Sequence, residues 1–264
     1  MDKIGFIGMG NMALALAGGF IKSQKVRAEN IFAYAPNQEK LKKNADSLGF
    51  VPCDSLKVLV KNCDTLVVAC KPYQIEGVLA EIKADLKEKT LISVAAGWTF
   101  DTFSPLLDKS TKILCIMPNT PAMVGEGVFL FEDKNSLSEA EYNQVTELFA
   151  SLGIVETLPT RLMGIGGAVS GCGPAFMDLV MEAYADAAVK YGISRAQAYR
   201  LVAQTMKGSA ALQIATGDHP GVLKDAVCSP GGTTICGVDA LEKAGLRGAC
   251  IGSIDAIMLK KSGK

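Results

Sequence analysis

The sequence predicts an α/β protein in two parts: a doubly wound parallel sheet over residues 1–160, followed by an all-helical domain over 161–264. Three observations carry this prediction. Apolar runs of strand length alternate with helical patterns in the first half. A glycine-rich turn, Gly8-Met9-Gly10-Asn11-Met12-Ala13, joins the first such run to the first helical pattern. After Pro159 the strand–helix alternation stops.

Taken in order, Lys3–Ile7 is a short apolar strand. Asn11–Ser23 is a helix whose Leu14, Ala17, Phe20 and Ile21 recur at the spacing that a 3.6-residue turn brings to one face. Asn30–Ala35 is a second strand, stopped by Pro36 and Asn37, and a polar helix continues to Ser47. Leu66–Cys70, Leu91–Ala95 and Ile113–Met117 are continuous apolar runs. Strands without apolar/polar alternation are buried on both faces, as in a parallel sheet covered by helices. Their alternation with helices gives a doubly wound order. Ser138 and Glu141 form a capping box that opens a helix to about Leu152. The domain boundary is expected at 160/161, within a window of 155–165.

In the second half, Pro174 stands near the start of a helix through Phe176, Leu179, Val180 and Ala183 to Tyr191, closed by Gly192. Ser194 and Gln197 form a second capping box, opening a helix to about Ala215. Ile235, Val238, Leu241 and Ala244 mark a further helix, and the last runs from Arg247 to about Lys261. Small residues crowd these helices: Ala183, Ala185, Ala187 and Ala188, then Ala203, Gly208, Ala210 and Ala211. Small residues permit close helix approach, and a helical domain with broad apolar faces finds its remaining burial in a second copy. A homodimer through this half is the expectation; the alternative is a helical domain that packs only on its own sheet domain.

Composition narrows the function classes. The chain carries 27 basic and 27 acidic residues, which argues against a nucleic-acid partner held by bulk electrostatics. Eight cysteines are scattered without a CxxC, and the single histidine, His219, leaves no metal-ligand grouping. Cysteines inside apolar runs, such as Cys70 and Cys115, read as small buried hydrophobes in a reducing compartment. Asp2 and Lys3 lead straight into a strand without a signal-peptide pattern. The uncharged run Leu162–Met177 is glycine-rich, holds Pro174 and is too short for a bilayer. A cytoplasmic protein without membrane or nucleic-acid partners is expected.

Two glycine-led turns carry the chemistry. The first is GxGxxA between strand and helix, the context of a Rossmann-like dinucleotide site. Gly8 allows the tight turn, Gly10 admits a pyrophosphate, and Ala13 lets helix and strand pack closely. The second strand ends Ala33-Tyr34-Ala35-Pro36-Asn37, without the acid that holds a 2′-hydroxyl. Asn37 can donate to a 2′-phosphate, with Lys40 one helical turn on, so NADPH is favoured and NADH remains open. Ala69-Cys70-Lys71-Pro72 and Ala95-Ala96-Gly97 follow later strands at the same edge and suit the nicotinamide end. Met117-Pro118-Asn119-Thr120-Pro121-Ala122 is a stiff loop on the pocket wall. The second turn is Val227–Gly237, in which Ser229, Gly231, Gly232, Thr233 and Thr234 precede a helix. Unpaired N–H groups and a positive dipole end there suit a carboxylate or phosphate.

Taken together, Phe6–Met12, Cys70-Lys71-Pro72, Ala95-Ala96-Gly97, Met117–Pro121, Ser170-Gly171-Cys172-Gly173-Pro174-Ala175 and Ser229-Pro230-Gly231-Gly232-Thr233-Thr234 resemble pyrroline-5-carboxylate reductase. The resemblance implies an α/β Rossmann-like doubly wound sheet domain followed by an all-α dimerisation domain, with dimers assembling into decamers. It implies hydride transfer from NAD(P)H to C5 of the cyclic imine, giving L-proline. The implied cofactor set is Ile7, Gly8, Met9, Gly10, Asn11, Met12, Ala35, Asn37, Ala69, Lys71, Pro72, Ala95, Ala96 and Gly97. The implied substrate set is Ser229, Gly231, Gly232, Thr233 and Thr234, with Thr234 catalytic near the ring nitrogen. The chain departs from the family pattern at Cys172, where a serine is usual, at the acid-free Met163–Gly167, and at Ala226. A β-hydroxyacid dehydrogenase would need a catalytic lysine after a glycine-rich run, and neither Lys190 nor Lys207 is so placed. A non-catalytic NADP-binding sensor and reduction of the six-membered ring imine are the other readings.

Overall fold

A computed structural model describes residues 3–262, which pack as two units divided between Cys172 and Gly173. The first unit begins with β1 (Ile4–Ile7), α1 (Asn11–Lys22), β2 (Ile31–Tyr34), α2 (Gln38–Leu48), β3 (Val51–Pro52) and α3 (Leu56–Asn62). It continues with β4 (Thr65–Val68), α4 (Ile75–Ile82), β5 (Thr90–Ser93), α5 (Phe100–Phe103) and β6 (Lys112–Met117). It ends with β7 (Gly127–Glu132), α6 (Glu139–Ala150), β8 (Gly153–Leu158) and α7 (Thr160–Ser170). The strands form one sheet in the order β3-β2-β1-β4-β5-β6-β7-β8.

The pairs from β3 through β6 are parallel, as the unalternating apolar runs predict. Side chains on β1 divide between the two faces. Ile4 and Phe6 enter one core with Leu16, Phe20 and Phe129, while Ile7 enters the other with Leu59, Leu79 and Phe103. Phe149 of α6 packs edge-on against Phe20, Phe129 and Phe131 at 5.1–5.7 Å, tying α1, α6 and β7 into the first core.

The far edge departs from an all-parallel sheet. β7 runs antiparallel to β6, and β8 pairs parallel with β7. Their meeting point needs glycine at 153: its φ is +149°, and a Cβ there would lie 1.9 Å from the Gly127 carbonyl oxygen. The Ser138–Glu141 capping box forms reciprocally, as predicted.

Beyond Pro159 the chain is helical, but α7 still belongs to the sheet unit. Gly166 brings it so close that an added Cβ would sit 2.6 Å from Leu158 Cδ1 and 2.7 Å from Leu130 Cδ1. The boundary read at 160/161 falls at the first residue of this helix, and the structural division falls after its last turn.

The second unit comprises α8 (Gly173–Lys190), α9 (Arg195–Thr216), α10 (Pro220–Ala226), α11 (Thr233–Lys243) and α12 (Leu246–Lys261). Ser194 caps α9 through its extended backbone, but its side chain makes no cap bond, so the second capping box does not form. Arg195 instead ties the first turn of α9 to Asp186 of α8 and lies over the Tyr199 ring. Among the described residues of this unit, Ala185 and Ala198 are the only apolar side chains that are fully buried. Leu179, Tyr191, Ile214 and Ile251 are all more than 60% exposed. Among the described residues no helix is long and apolar enough to cross a membrane.

Candidate cofactor-binding and substrate-binding sites

In the first unit the strand register gathers the predicted cofactor residues at one edge. Ile7 pairs with Tyr34 and with Val68, and Val68 pairs with Ser93. The next residues, Gly8, Ala35, Ala69 and Val94, therefore stand side by side where β1, β2, β4 and β5 end. At the spacing of neighbouring strands this row spans about 14 Å. It is the C-terminal edge, where open α/β sheets bind ligands.

Gly8 is fixed by its surroundings. Its N–H donates to the Tyr34 carbonyl at 2.8 Å and its φ is +95°. A Cβ there would approach the Cys70 nitrogen to 2.8 Å. Gly10 has the opposite character. Its backbone is extended, it caps α1 without a side chain, and the space where a Cβ would sit is open. The first turn of α1 holds no acidic residue and no side-chain cap, so the N–H groups at its start are left to a ligand at the positive dipole end. Open space at Gly10 and free donors behind it fit a pyrophosphate. Ile7 and Met9 are buried supports for this loop, and Asn11 is exposed on it.

At the end of β2, Asn37 Oδ1 accepts the Lys40 N–H at 2.9 Å, capping α2 and leaving its amino group to donate outward. Gln38 Nε2 donates to the Ala35 carbonyl at 2.9 Å and to the Cys53 carbonyl at 3.3 Å, which locks the end of β2 to the chain after β3. Lys71 is exposed at the end of β4, and its N–H donates to Gln74 Oε1 at 3.1 Å. Pro72 follows and opens a single 3-10 turn. Cys70 beside it is half-buried, and burial pushes its thiol up, which leaves it a packing group and not a nucleophile.

Ala95 and Ala96 follow β5, and Gly97 turns the chain at φ +82° with open space at its Cβ position. Small residues there leave room for a flat ring against the backbone. The loop ends at Phe100, whose N–H donates to Glu132 Oε2 at 2.8 Å. Glu132 is fully buried, and its Oε1 accepts the Thr160 hydroxyl at 2.6 Å. The Cys115 thiol is pushed up by burial first and by the Glu132 carboxylate second. The stiff Met117–Ala122 loop is held by Asn119, also buried. Its Oδ1 accepts the Val128 N–H at 2.9 Å and its Nδ2 donates to the Ser170 carbonyl at 3.0 Å.

Glu132 was not among the residues singled out from sequence. The available signal was an acid closing the apolar run Val128–Phe131, which marks a strand end.

In the second unit the predicted anion site is contiguous. Gly231 adopts φ +70° and Gly232 is the extended cap of α11. The Gly232 N–H donates to the Ser229 carbonyl at 3.0 Å, closing the turn. A Cβ on Gly232 would lie 2.5 Å from Ser229 Oγ. α11 has no side-chain cap and no acid in its first turn, so the Thr233 and Thr234 N–H groups and hydroxyls are all presented to solvent. His219 lies apart from this chemistry: its Nδ1 accepts the Gly221 N–H at 3.0 Å and caps α10. Among the described residues no group of three or more His, Cys, Asp or Glu side chains is arranged to hold a metal ion.

Comparison with known proteins bears on both units. Residues 160–263 match the family model described as pyrroline-5-carboxylate reductase dimerisation, and residues 3–97 match NADP oxidoreductase coenzyme F420-dependent. The chain is 39% identical over 260 residues to the pyrroline-5-carboxylate reductase of Treponema pallidum (strain Nichols), covering 97% of this chain and 98% of that protein. It is also 39% identical over 259 residues to that of Escherichia coli (strain K12), covering 98% and 96%. Its fold matches the Plasmodium falciparum pyrroline carboxylate reductase crystal structure with NADP bound. The TM-score is 0.89 at 34% identity, covering 98% of this chain and 96% of that one.

Proposed function

The chain belongs to the pyrroline-5-carboxylate reductase family, and we infer from that membership which of its residues carry the reaction. The reaction is the NADPH-dependent reduction of 1-pyrroline-5-carboxylate to L-proline, the final step of proline biosynthesis. When bound, NADPH supplies the hydride that C5 of the ring imine receives.

The residues present fit that cofactor. Gly8, Gly10 and the first turn of α1 hold the pyrophosphate, with Ile7, Met9, Asn11 and Met12 shaping the loop. Ala35 and Asn37 hold the adenosine ribose and its 2′-phosphate. Ala69, Lys71, Pro72, Ala95, Ala96 and Gly97 line the nicotinamide end. Ser229, Gly231, Gly232, Thr233 and Thr234 hold the substrate carboxylate at the start of α11. A protonated cyclic imine is already an electrophile, so neither a strong acid nor a metal is needed, and holding the ring correctly is the main catalytic contribution. The Thr234 hydroxyl orients the ring nitrogen or relays its proton.

One observation supports this reading most directly: α1 and α11 each start on a glycine in extended backbone, with no side-chain cap and no acid in the first turn, whereas the cap glycine of α12, Gly245, is left-handed. The assembly is a homodimer through the helical domain, with dimers joining into a decamer, and the functional boundary stays at 160/161. The enzyme works in the cytoplasm without membrane or nucleic-acid partners. Steady-state NADPH oxidation with 1-pyrroline-5-carboxylate tests the function, with NADH and the six-membered ring imine run in parallel. Turnover with the five-membered imine is the expected result; none at millimolar substrate overturns it.

A further inference from the structure

We propose that Glu132 is a positioning residue for the nicotinamide end of the cofactor site, pinning the first N–H of α5 and so fixing the Ala95–Thr99 loop. The proposal rests on the reading that Ala95, Ala96 and Gly97 face the nicotinamide. Glu132 closes β7 after the apolar run Val128–Phe131 and is 0% exposed. A buried carboxylate is costly unless its oxygens are matched by donors, and an apolar residue fills space at lower cost.

Here each oxygen has a donor, and the two bonds join two elements: Oε2 takes the Phe100 N–H of α5, and Oε1 takes the Thr160 hydroxyl at the start of α7, with the Cys115 thiol of β6 also against the carboxylate. Lys134, two residues on, pairs with Asp101 and not with Glu132. The loop's own bonds are longer. The Ala95 N–H reaches Ser93 Oγ at 3.3 Å and the Trp98 N–H reaches the Ala95 carbonyl at 3.3 Å, against 2.8 Å for Phe100 to Glu132. Thr99 at the loop's end is held by α5, its carbonyl accepting the Thr102 and Phe103 N–H groups at 3.0 and 3.1 Å, so Glu132 is the tether that reaches the loop's end from a different strand.

The loop carries its own reporter. Trp98 is the chain's single tryptophan and packs on Phe103 with ring centroids 4.7 Å apart. Reduced nicotinamide accepts excitation energy from indole, so NADPH binding quenches Trp98 emission to a degree set by their separation.

Three variants test the assignment. Glu132→Leu removes both acceptors, and kcat falls about 10- to 100-fold because hydride geometry loosens. NADPH affinity changes little, since its phosphates bind elsewhere, but quenching at saturation shrinks. Glu132→Gln retains kcat and quenching, because its oxygen still accepts from Phe100 and its amino group donates to a rotated Thr160 hydroxyl. Thr160→Val removes only the α7 arm, so the melting temperature drops while kcat and quenching stay at parent values. If Glu132→Leu does not fold, Phe100→Pro deletes the same N–H and carries the same expectation. Thr99 is already extended and Phe100 is the first helical residue, both suited to proline. Parent-like kcat and quenching in Glu132→Leu overturn the assignment. So does a Thr160→Val variant that loses activity in step with it, since that is what a purely stabilising role gives. A parent protein that quenches with NADPH yet reduces no imine defeats the functional reading alone, because the quenching comparison still judges Glu132.

Discussion

A hydroxyl that orients a substrate nitrogen contributes to turnover and nothing to folding. Thr234 is exposed and makes no cap bond, so Thr234→Ala should leave the melting temperature and NADPH affinity unchanged. Turnover should fall by roughly ten- to a hundredfold; unchanged kinetics remove Thr234 from the mechanism. Glu141 makes the opposite kind of contribution. Hydrogen bonds from Lys112 first, and from Ser138 second, lower its pKa from 4.5 to about 2. Its folded-state pKa lies below the unfolded one, so its stabilisation is whole above pH 4.5 and is lost as the pH falls toward 2. Glu141→Gln should cost about 1 kcal/mol or less at neutral pH, as half-exposed pairs do. It should also shallow the acid limb of the stability curve, which denaturant melts across that range would reveal. Residues whose partners are near in sequence, such as Ser138 with Glu141, were legible from spacing. Glu132 and Asn119 were not, because Thr160 and Ser170 lie 28 and 51 residues away from them.

Among elements, the strand–turn–helix at Gly8–Ala13 separates two uses of glycine. Gly8→Ala places a Cβ against the Cys70 backbone at a positive φ, and should destabilise the protein by at least about 1–3 kcal/mol. Gly10→Ala meets open space in an extended backbone, so the melting temperature should hold while the NADPH dissociation constant rises. Thermal melts beside NADPH titrations check both, and a parent-like dissociation constant for Gly10→Ala would remove the pyrophosphate from that spot. The central strands β1, β4, β5 and β6 were legible because burial on both faces erases alternation, whereas the two-residue edge strand β3, not fully buried, left no such run. β7 and β8 were not picked out: an apolar run carries no sign of its direction, and Gly153 passes in sequence for an ordinary turn glycine. The box at Ser194 had the same letters as the one at Ser138, but the Arg195–Asp186 pair anchors that turn, so spacing alone overstated it.

At the scale of the molecule, the helical unit is the incomplete part. With Ala185 and Ala198 its only fully buried apolar side chains among the described residues, it keeps too much apolar surface to stand alone. Light scattering at micromolar concentration should give at least the dimer mass; a monomer there defeats the shared helical interface. The small-residue pattern made this surface legible, because residue types report packing distance, whereas the count of copies is a property of geometry between chains.

The same shortfall sets an order of events in time. The sheet unit has two apolar cores of its own and emerges first during synthesis, so it folds as a unimolecular event. On the proposed homodimer, the helices that follow complete their burial when another chain arrives, and the closing step of maturation is second-order. Diluting a refolding mixture should slow that step while Trp98, embedded in the earlier unit, recovers its emission at a rate indifferent to dilution.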